Sequence, residues 1–124
     1  MITNRNDLLK CNDSKIVVEV VAPGTFPDGD GAPLLLKANT VDASQEKHVP
    51  VIESIPEGML VKIGSTPHPM LDAHFIEFVE VIDGSDVYRH YFKPGDAPET
   101  VFKLEYRPGM IVREYCNIHG LWQK

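Results

Sequence analysis

Three short stretches of the chain carry most of the side chains that could bind a metal. They contain four of the five histidines and one of the two cysteines. The five residues are His48, His68, His74, Cys116 and His119. Imidazole nitrogen and thiolate sulfur are ligands for zinc, copper and iron. Together these residues predict a site for one transition-metal ion.

The spacing of these residues supports one shared site. Two residues separate Cys116 from His119, a spacing that lets both side chains reach one ion from a tight loop. His68 and His74 flank a loop that contains a proline, and His48 directly precedes a predicted strand. Loops at one end of a rigid β-scaffold can bring such groups together.

The donor set leaves several metals open. A structural zinc site normally has four ligands, so five candidates are one too many. Blue copper takes two histidines, one cysteine and a weak axial methionine, and Met70 lies close to His68. Iron accepts five nitrogen and sulfur ligands and leaves a sixth position for catalysis. The remaining alternatives are a binding or electron-transfer module with a closed metal site, and a sandwich in which these residues are merely structural.

The elements that would position the site are predicted to be strands. The length of 124 residues indicates one compact domain with a short appendage. Apolar and polar residues alternate over 59–63 and 75–82, the latter with Val79 and Val81 on one face and Ile76 on the other. Turn signals every 8 to 12 residues predict an all-β sandwich. A hairpin is predicted between strands at 100–106 and 110–115, around a Pro-Gly turn.

Composition argues against two classes of partner. The net charge is −6 and the chain has no run of Lys and Arg, so no nucleic-acid binding is expected. No apolar run approaches the roughly 20 residues of a membrane-spanning helix, so no membrane association is expected. The first residues lack the pattern of a signal peptide, so the cytoplasm is the expected compartment. A disulfide between Cys11 and Cys116 is not expected there.

The motif segments closely resemble the three signatures of superoxide reductases, the desulfoferrodoxin and neelaredoxin family. They are residues 46–50 (EKHVP), 68–74 (HPMLDAH) and 116–120 (CNIHG), and the resemblance extends over about residues 39–122. It implies an immunoglobulin-like β-sandwich with one Fe²⁺/Fe³⁺ ion per chain. It also implies the reaction, in which one superoxide, one electron and two protons give hydrogen peroxide.

The resemblance also implies a role for each site residue. The equatorial ligands would be His48, His68, His74 and His119, and the axial ligand would be the Cys116 thiolate. Lys47 and Glu46 would flank the open sixth position, Lys47 attracting superoxide and Glu46 binding the oxidised iron. A rubredoxin-like protein is the expected electron donor. A homodimer is the expected assembly, with a tetramer as the alternative.

The N-terminal segment departs from the longer members of this family. In those members a small desulforedoxin-like domain holds a second iron with four cysteines. Here Cys11 is the single cysteine before residue 116, and one thiolate cannot hold such an iron. Residues 1–38 are therefore interpreted as a degenerate desulforedoxin-like segment without metal, and residues 39–124 as the iron domain.

Overall fold

The computed structural model describes residues 1–42 and 47–124, and within those ranges every regular element is a β-strand. The strands fall into two compact units, Met1–Lys37 and Ala38–Lys124. Among the described residues, no helix is long and apolar enough to cross a membrane. The predicted all-β fold is confirmed.

The first unit is a small antiparallel sheet of short strands. These are β1 (Leu8–Lys10), β2 (Val17–Glu19) and β3 (Leu34–Leu35), in the order β2-β1-β3. Cys11 directly follows β1, and its thiol is free. The three-residue β1 is too short to give a periodic signal, and sequence analysis missed it. The interpretation of residues 1–38 as a metal-free remnant stays a prediction.

The second unit contains two antiparallel sheets. The first, in the order β4-β5-β8, consists of β4 (Pro50–Ile55), β5 (Gly58–Ile63) and β8 (Glu99–Phe102). The second, in the order β10-β9-β6-β7, consists of β6 (Ile76–Asp83), β7 (Asp86–Tyr91), β9 (Ile111–Cys116) and β10 (Gly120–Gln123).

Apolar side chains from both sheets form a single core. Met59 and Val61 of β5 pack in one cluster with Val79 and Val81 of β6 and Val112 of β9. Each of these five side chains is at most 1% exposed. Alternation along each strand places them on the inner faces, as packing of two sheets requires. The predicted immunoglobulin-like β-sandwich is confirmed.

Two local predictions are wrong. The predicted hairpin around the Pro-Gly turn does not form, because β8 pairs with β5 whereas β9 pairs with β6 and β10. The turn therefore leads from one sheet to the other. Ile76 lies in the core with Val79 and Val81, although strict alternation predicts opposite faces. The pairing of β6 with β9 shifts register between Ile76 and Phe78. Because of this shift, Ile76 points to the same face as Val79 and Val81.

A buried charge network fastens β9, the strand that carries Cys116, to its neighbours. Glu80 of β6 is fully buried and lies opposite Arg113 of β9 and Arg89 of β7. Its carboxylate accepts hydrogen bonds from Arg89 Nε at 2.8 Å and Arg113 Nε at 2.6 Å. The buried Glu80 carboxylate thus has partners of opposite charge, which offset the cost of removing it from water.

Gly58→Ala is expected to destabilise the second unit by about 3 kcal/mol. The cost of backbone strain at a positive φ and the cost of a steric clash add to each other. Gly58 begins β5 with a φ of +139°, and an added Cβ would lie 2.3 Å from the carbonyl oxygen of Phe102. Gly84→Ala is the matched control: its φ is +59°, but an added Cβ would meet nothing within 4 Å. We expect a loss of only about 1 kcal/mol there, measured by urea unfolding. Equal losses of unfolding free energy in the two variants would show that the close contact with Phe102 has no effect on stability.

Candidate metal centre

Four imidazoles form a closed ring in the second unit. The ring centroids of His48 and His68 are 4.6 Å apart, and those of His68 and His74 are 4.9 Å apart. His74 lies 5.1 Å from His119, and His119 lies 5.0 Å from His48. The structure therefore brings together all four histidines that sequence analysis singled out.

The donor atoms around this ring are close enough to share one ion. One ligand atom from each of His48, His68, Cys116 and His119 lies within 4.8 Å of the others. Metal–nitrogen and metal–sulfur bonds are about 2.0–2.3 Å long, so donors on opposite sides of an ion are about 4–4.6 Å apart. His74 is not in this group of four, although its ring lies against His68 and His119.

Cys116 supplies the sulfur from the buried end of β9. Its side chain is 0% exposed, and its Sγ lies 3.7 Å from His68 Nε2. Cys116 pairs with Gly120 of β10, so the intervening residues form a tight turn. Within that turn the backbone N–H of His119 donates to Cys116 Sγ at 3.4 Å. Such a bond stabilises negative charge on sulfur, which a thiolate ligand carries.

A hydrogen bond selects the tautomer of His68. Its Nδ1 lies 2.7 Å from the carbonyl oxygen of Pro69, so Nδ1 carries the proton and donates. Nε2 is then the unprotonated nitrogen, and it is the atom that faces Cys116 Sγ. The backbone N–H of His68 also donates to the carbonyl oxygen of Ile63, at the end of β5, at 2.9 Å. The side chain is therefore oriented to ligate through Nε2.

Trp122 of β10 contacts two of the histidines. Its ring stacks on His48 with centroids 4.5 Å apart and an interplanar angle of 12°. Its Nε1–H donates to the carbonyl oxygen of His119 at 3.1 Å. Trp122 therefore contacts the ring of His48 and the main chain of His119, two neighbours in the ring of imidazoles.

Two acidic residues lie close to His48, and one of them, Asp42, hydrogen-bonds its main chain. Asp42 Oδ1 accepts hydrogen bonds from the backbone N–H groups of His48 at 2.7 Å and Val49 at 3.0 Å. Glu114 is fully buried, and its Oε1 lies 3.5 Å from His48 Nδ1. Burial raises the pKa of Glu114 well above its ordinary value, and the nearby Asp42 raises it further. Carboxylates behind ligand histidines are a common support for metal sites.

Lys47 lies next to His48, and its main chain packs against Gly64. A Cβ added at Gly64 would lie 2.7 Å from the carbonyl oxygen of Lys47. A glycine after β5 therefore permits this close approach. Glu46, the other residue assigned to the open position, lies outside the described residues.

Two further residues have other surroundings. Met70, considered as an axial copper ligand, packs against the hydrophobic core, and its Sδ accepts a hydrogen bond from the backbone N–H of Ile76 at 3.4 Å. This contact disfavours the blue-copper alternative. His90, the fifth histidine, lies on β7 opposite Val79 and against the ring of Phe92.

The chain is similar to known proteins in both sequence and structure. A family model described as desulfoferrodoxin matches residues 40–124. The chain is 47% identical to a desulfoferrodoxin of Syntrophotalea carbinolica over 121 residues, covering 94% of this chain and 93% of that protein. It is 34% identical to a superoxide reductase of Pyrococcus abyssi over 100 residues, covering 66% of this chain and 87% of that protein. The crystal structure of the superoxide reductase from Treponema pallidum is similar with a TM-score of 0.67 and 28% identity, covering 94% of this chain and 98% of that one.

Proposed function

The chain belongs to the desulfoferrodoxin family, and we propose that it is a superoxide reductase, which reduces superoxide to hydrogen peroxide at a mononuclear non-haem iron. The observation that carries this proposal is the closed ring of four imidazoles with a buried thiol beside it. The relatives and structural neighbours that carry the name superoxide reductase support it.

The donor set suits iron. Four nitrogens and one sulfur exceed the four ligands of a structural zinc site, and they match an iron that keeps one position open. The residues that would hold it are His48, His68, His74, Cys116 and His119. When bound, this iron would supply one electron to superoxide and regain it from a reductant. With two protons, that electron converts superoxide into hydrogen peroxide.

The protein's own groups prepare the site for this chemistry. The Cys116 thiolate would donate electron density to a bound iron, as thiolate ligands do in haem enzymes. The N–H of His119, which donates to Cys116 Sγ at 3.4 Å, would moderate that donation. The bond from His68 Nδ1 to Pro69 keeps Nε2 available as a ligand. Stacking of Trp122 on His48 limits the access of water to that side of the ring.

Lys47 and Glu46 are proposed to act at the open position. The net charge of −6 repels an anionic substrate at long range, and the positive charge of Lys47, the residue before His48 in the chain, would offset this locally. Glu46 would provide a hard oxygen ligand to the oxidised iron, which suits its higher charge. Glu46 lies outside the described residues, so its role rests on the resemblance of residues 46–50.

We extend the proposal to the setting of the reaction. A rubredoxin-like protein would deliver the electron, and the chain would form a homodimer, with a tetramer as the alternative. Cys11 and Cys116 are not joined by a disulfide bond, which fits a reducing compartment such as the cytoplasm. Residues 1–38 would be a metal-free remnant of a desulforedoxin-like domain.

Metal content and product analysis test the proposed function directly. Purified protein loaded with Fe²⁺ under argon is expected to retain about one iron per chain, the number that five ligands in one cluster would hold. In the presence of a reductant, each superoxide consumed should give one hydrogen peroxide and no O₂. Release of O₂ with half that yield of peroxide would indicate dismutation and overturn the assignment. Retention of zinc or copper in place of iron would favour a closed metal site.

A further inference from the structure

Asn117 makes three hydrogen bonds with the main chain on either side of His74. The side-chain Oδ1 of Asn117 accepts from the backbone N–H of Phe75 at 2.9 Å, and Nδ2 donates to the carbonyl oxygen of Ala73 at 3.1 Å. The backbone N–H of Asn117 also donates to the carbonyl oxygen of Phe75 at 3.2 Å. The amide thus grips the main chain on both sides of His74. It links that loop directly to the turn that follows Cys116.

His74 follows a short stretch of exposed residues. His48, His68, Cys116 and His119 belong to the group whose donor atoms lie within 4.8 Å of one another, and His74 does not. Its loop is closed locally by two backbone hydrogen bonds between Leu71 and His74, at 2.9 and 3.0 Å. The residues between those two are exposed, so that turn has little packing of its own.

We propose that Asn117 is a positioning residue that fixes His74 against the turn at residues 116–119 and so sets the fifth ligand of the metal site. This inference rests on the proposed function. The role requires an acceptor for Phe75 and a donor for Ala73 on one short planar group, which an amide provides. Aspartate keeps the acceptor but loses the donor, and leucine loses both. Supporting groups of this kind typically change metal affinity by about 10–100-fold.

Binding of Co²⁺ to the metal-free protein tests this role without measuring activity. Asn117→Leu is expected to weaken Co²⁺ binding by about 10-fold or more and to change the visible ligand-field spectrum towards lower coordination number. Asn117→Asp should lie between Asn117→Leu and the wild type. Asn12→Leu is the matched control, because it removes an amide that donates to Ala32 in the first unit at 2.5 Å. Its Co²⁺ affinity and spectrum should equal those of the wild type.

The outcomes separate this inference from the proposed function. Wild-type affinity and spectrum in both Asn117 variants, in a protein that reduces superoxide, would overturn the role of Asn117 alone. Normal Co²⁺ binding by a wild type that leaves superoxide unreduced would overturn the proposed function alone. No Co²⁺ binding by the wild type would overturn both. Should Asn117→Leu lose its far-UV circular dichroism, the Asn117→Asp comparison decides.

Discussion

Cys116→Ser is expected to abolish the sulfur-to-iron charge-transfer colour of the oxidised protein and to slow superoxide reduction by more than about 100-fold, beyond the usual effect of a supporting residue. The transition requires a sulfur bound to the iron, and Cys116 Sγ lies 3.7 Å from His68 Nε2 within the cluster. A serine oxygen is a harder donor that releases less electron density. The colour is measured by visible absorption of the iron-loaded, oxidised protein, and the rate by rapid mixing with superoxide.

Cys11→Ser provides the matched control for that experiment. It makes the same exchange of sulfur for oxygen at the other cysteine, which follows β1 in the first unit. We expect full colour and an unchanged rate for Cys11→Ser. A charge-transfer band that survives in Cys116→Ser would exclude Cys116 as a ligand. Loss of colour in both variants would point to a general loss of iron, which metal analysis of each sample detects.

The candidate ligands were predictable from sequence because their chemistry is rare and local. The residue types and spacing of Cys116 and His119 indicate a shared metal site. The family resemblance then implies the complete set of five ligands. The strands were also predicted closely: the pattern at 59–63 became Gly58–Ile63, and that at 75–82 became Ile76–Asp83. Alternating apolar residues report which segments form strands, because one face of each must be buried.

Strand pairing was less predictable. A Pro-Gly turn gives the same local signal whether the next strand pairs with the previous one or joins the opposite sheet. Here β9 finds its partners in β6 and β10, and contacts distant in sequence decide that choice. The register shift beside Ile76 likewise has no signature in the alternating pattern.

The groups that support the ligands were the hardest to assign. Asn117 acts on a loop 42 residues away, and Asp42 acts through backbone N–H groups. Asparagine and aspartate are common in loops, so their type alone predicts a turn. Glu114 occupies a buried position of β9 where the alternating pattern predicts an apolar residue. In the structure its carboxyl group lies near His48. Such roles become visible only when the distant segments are brought together.

Lys47→Ala is expected to lower the second-order rate constant with superoxide by about 10-fold or more and to weaken its dependence on salt. Superoxide is an anion, and the chain carries a net charge of −6, so the far field of the protein opposes its approach. Lys47 directly precedes His48 in the chain, so its charge would act on the site within the screening length of about 8 Å at physiological ionic strength. The rate constant is measured over a series of salt concentrations, on samples matched for iron content.

Lys103→Ala separates a local effect of Lys47 from the effect of total charge. Both variants lose one positive charge, but the two lysines lie near opposite ends of β5. A Cβ at Gly58 would lie 3.1 Å from Lys103 Cα, and one at Gly64 would lie 3.1 Å from Lys47 Cβ. The intervening strand is about 17 Å long, which is twice the screening length. Equal slowing in both variants would assign the effect to net charge, and an unchanged rate in Lys47→Ala would remove Lys47 from the reaction.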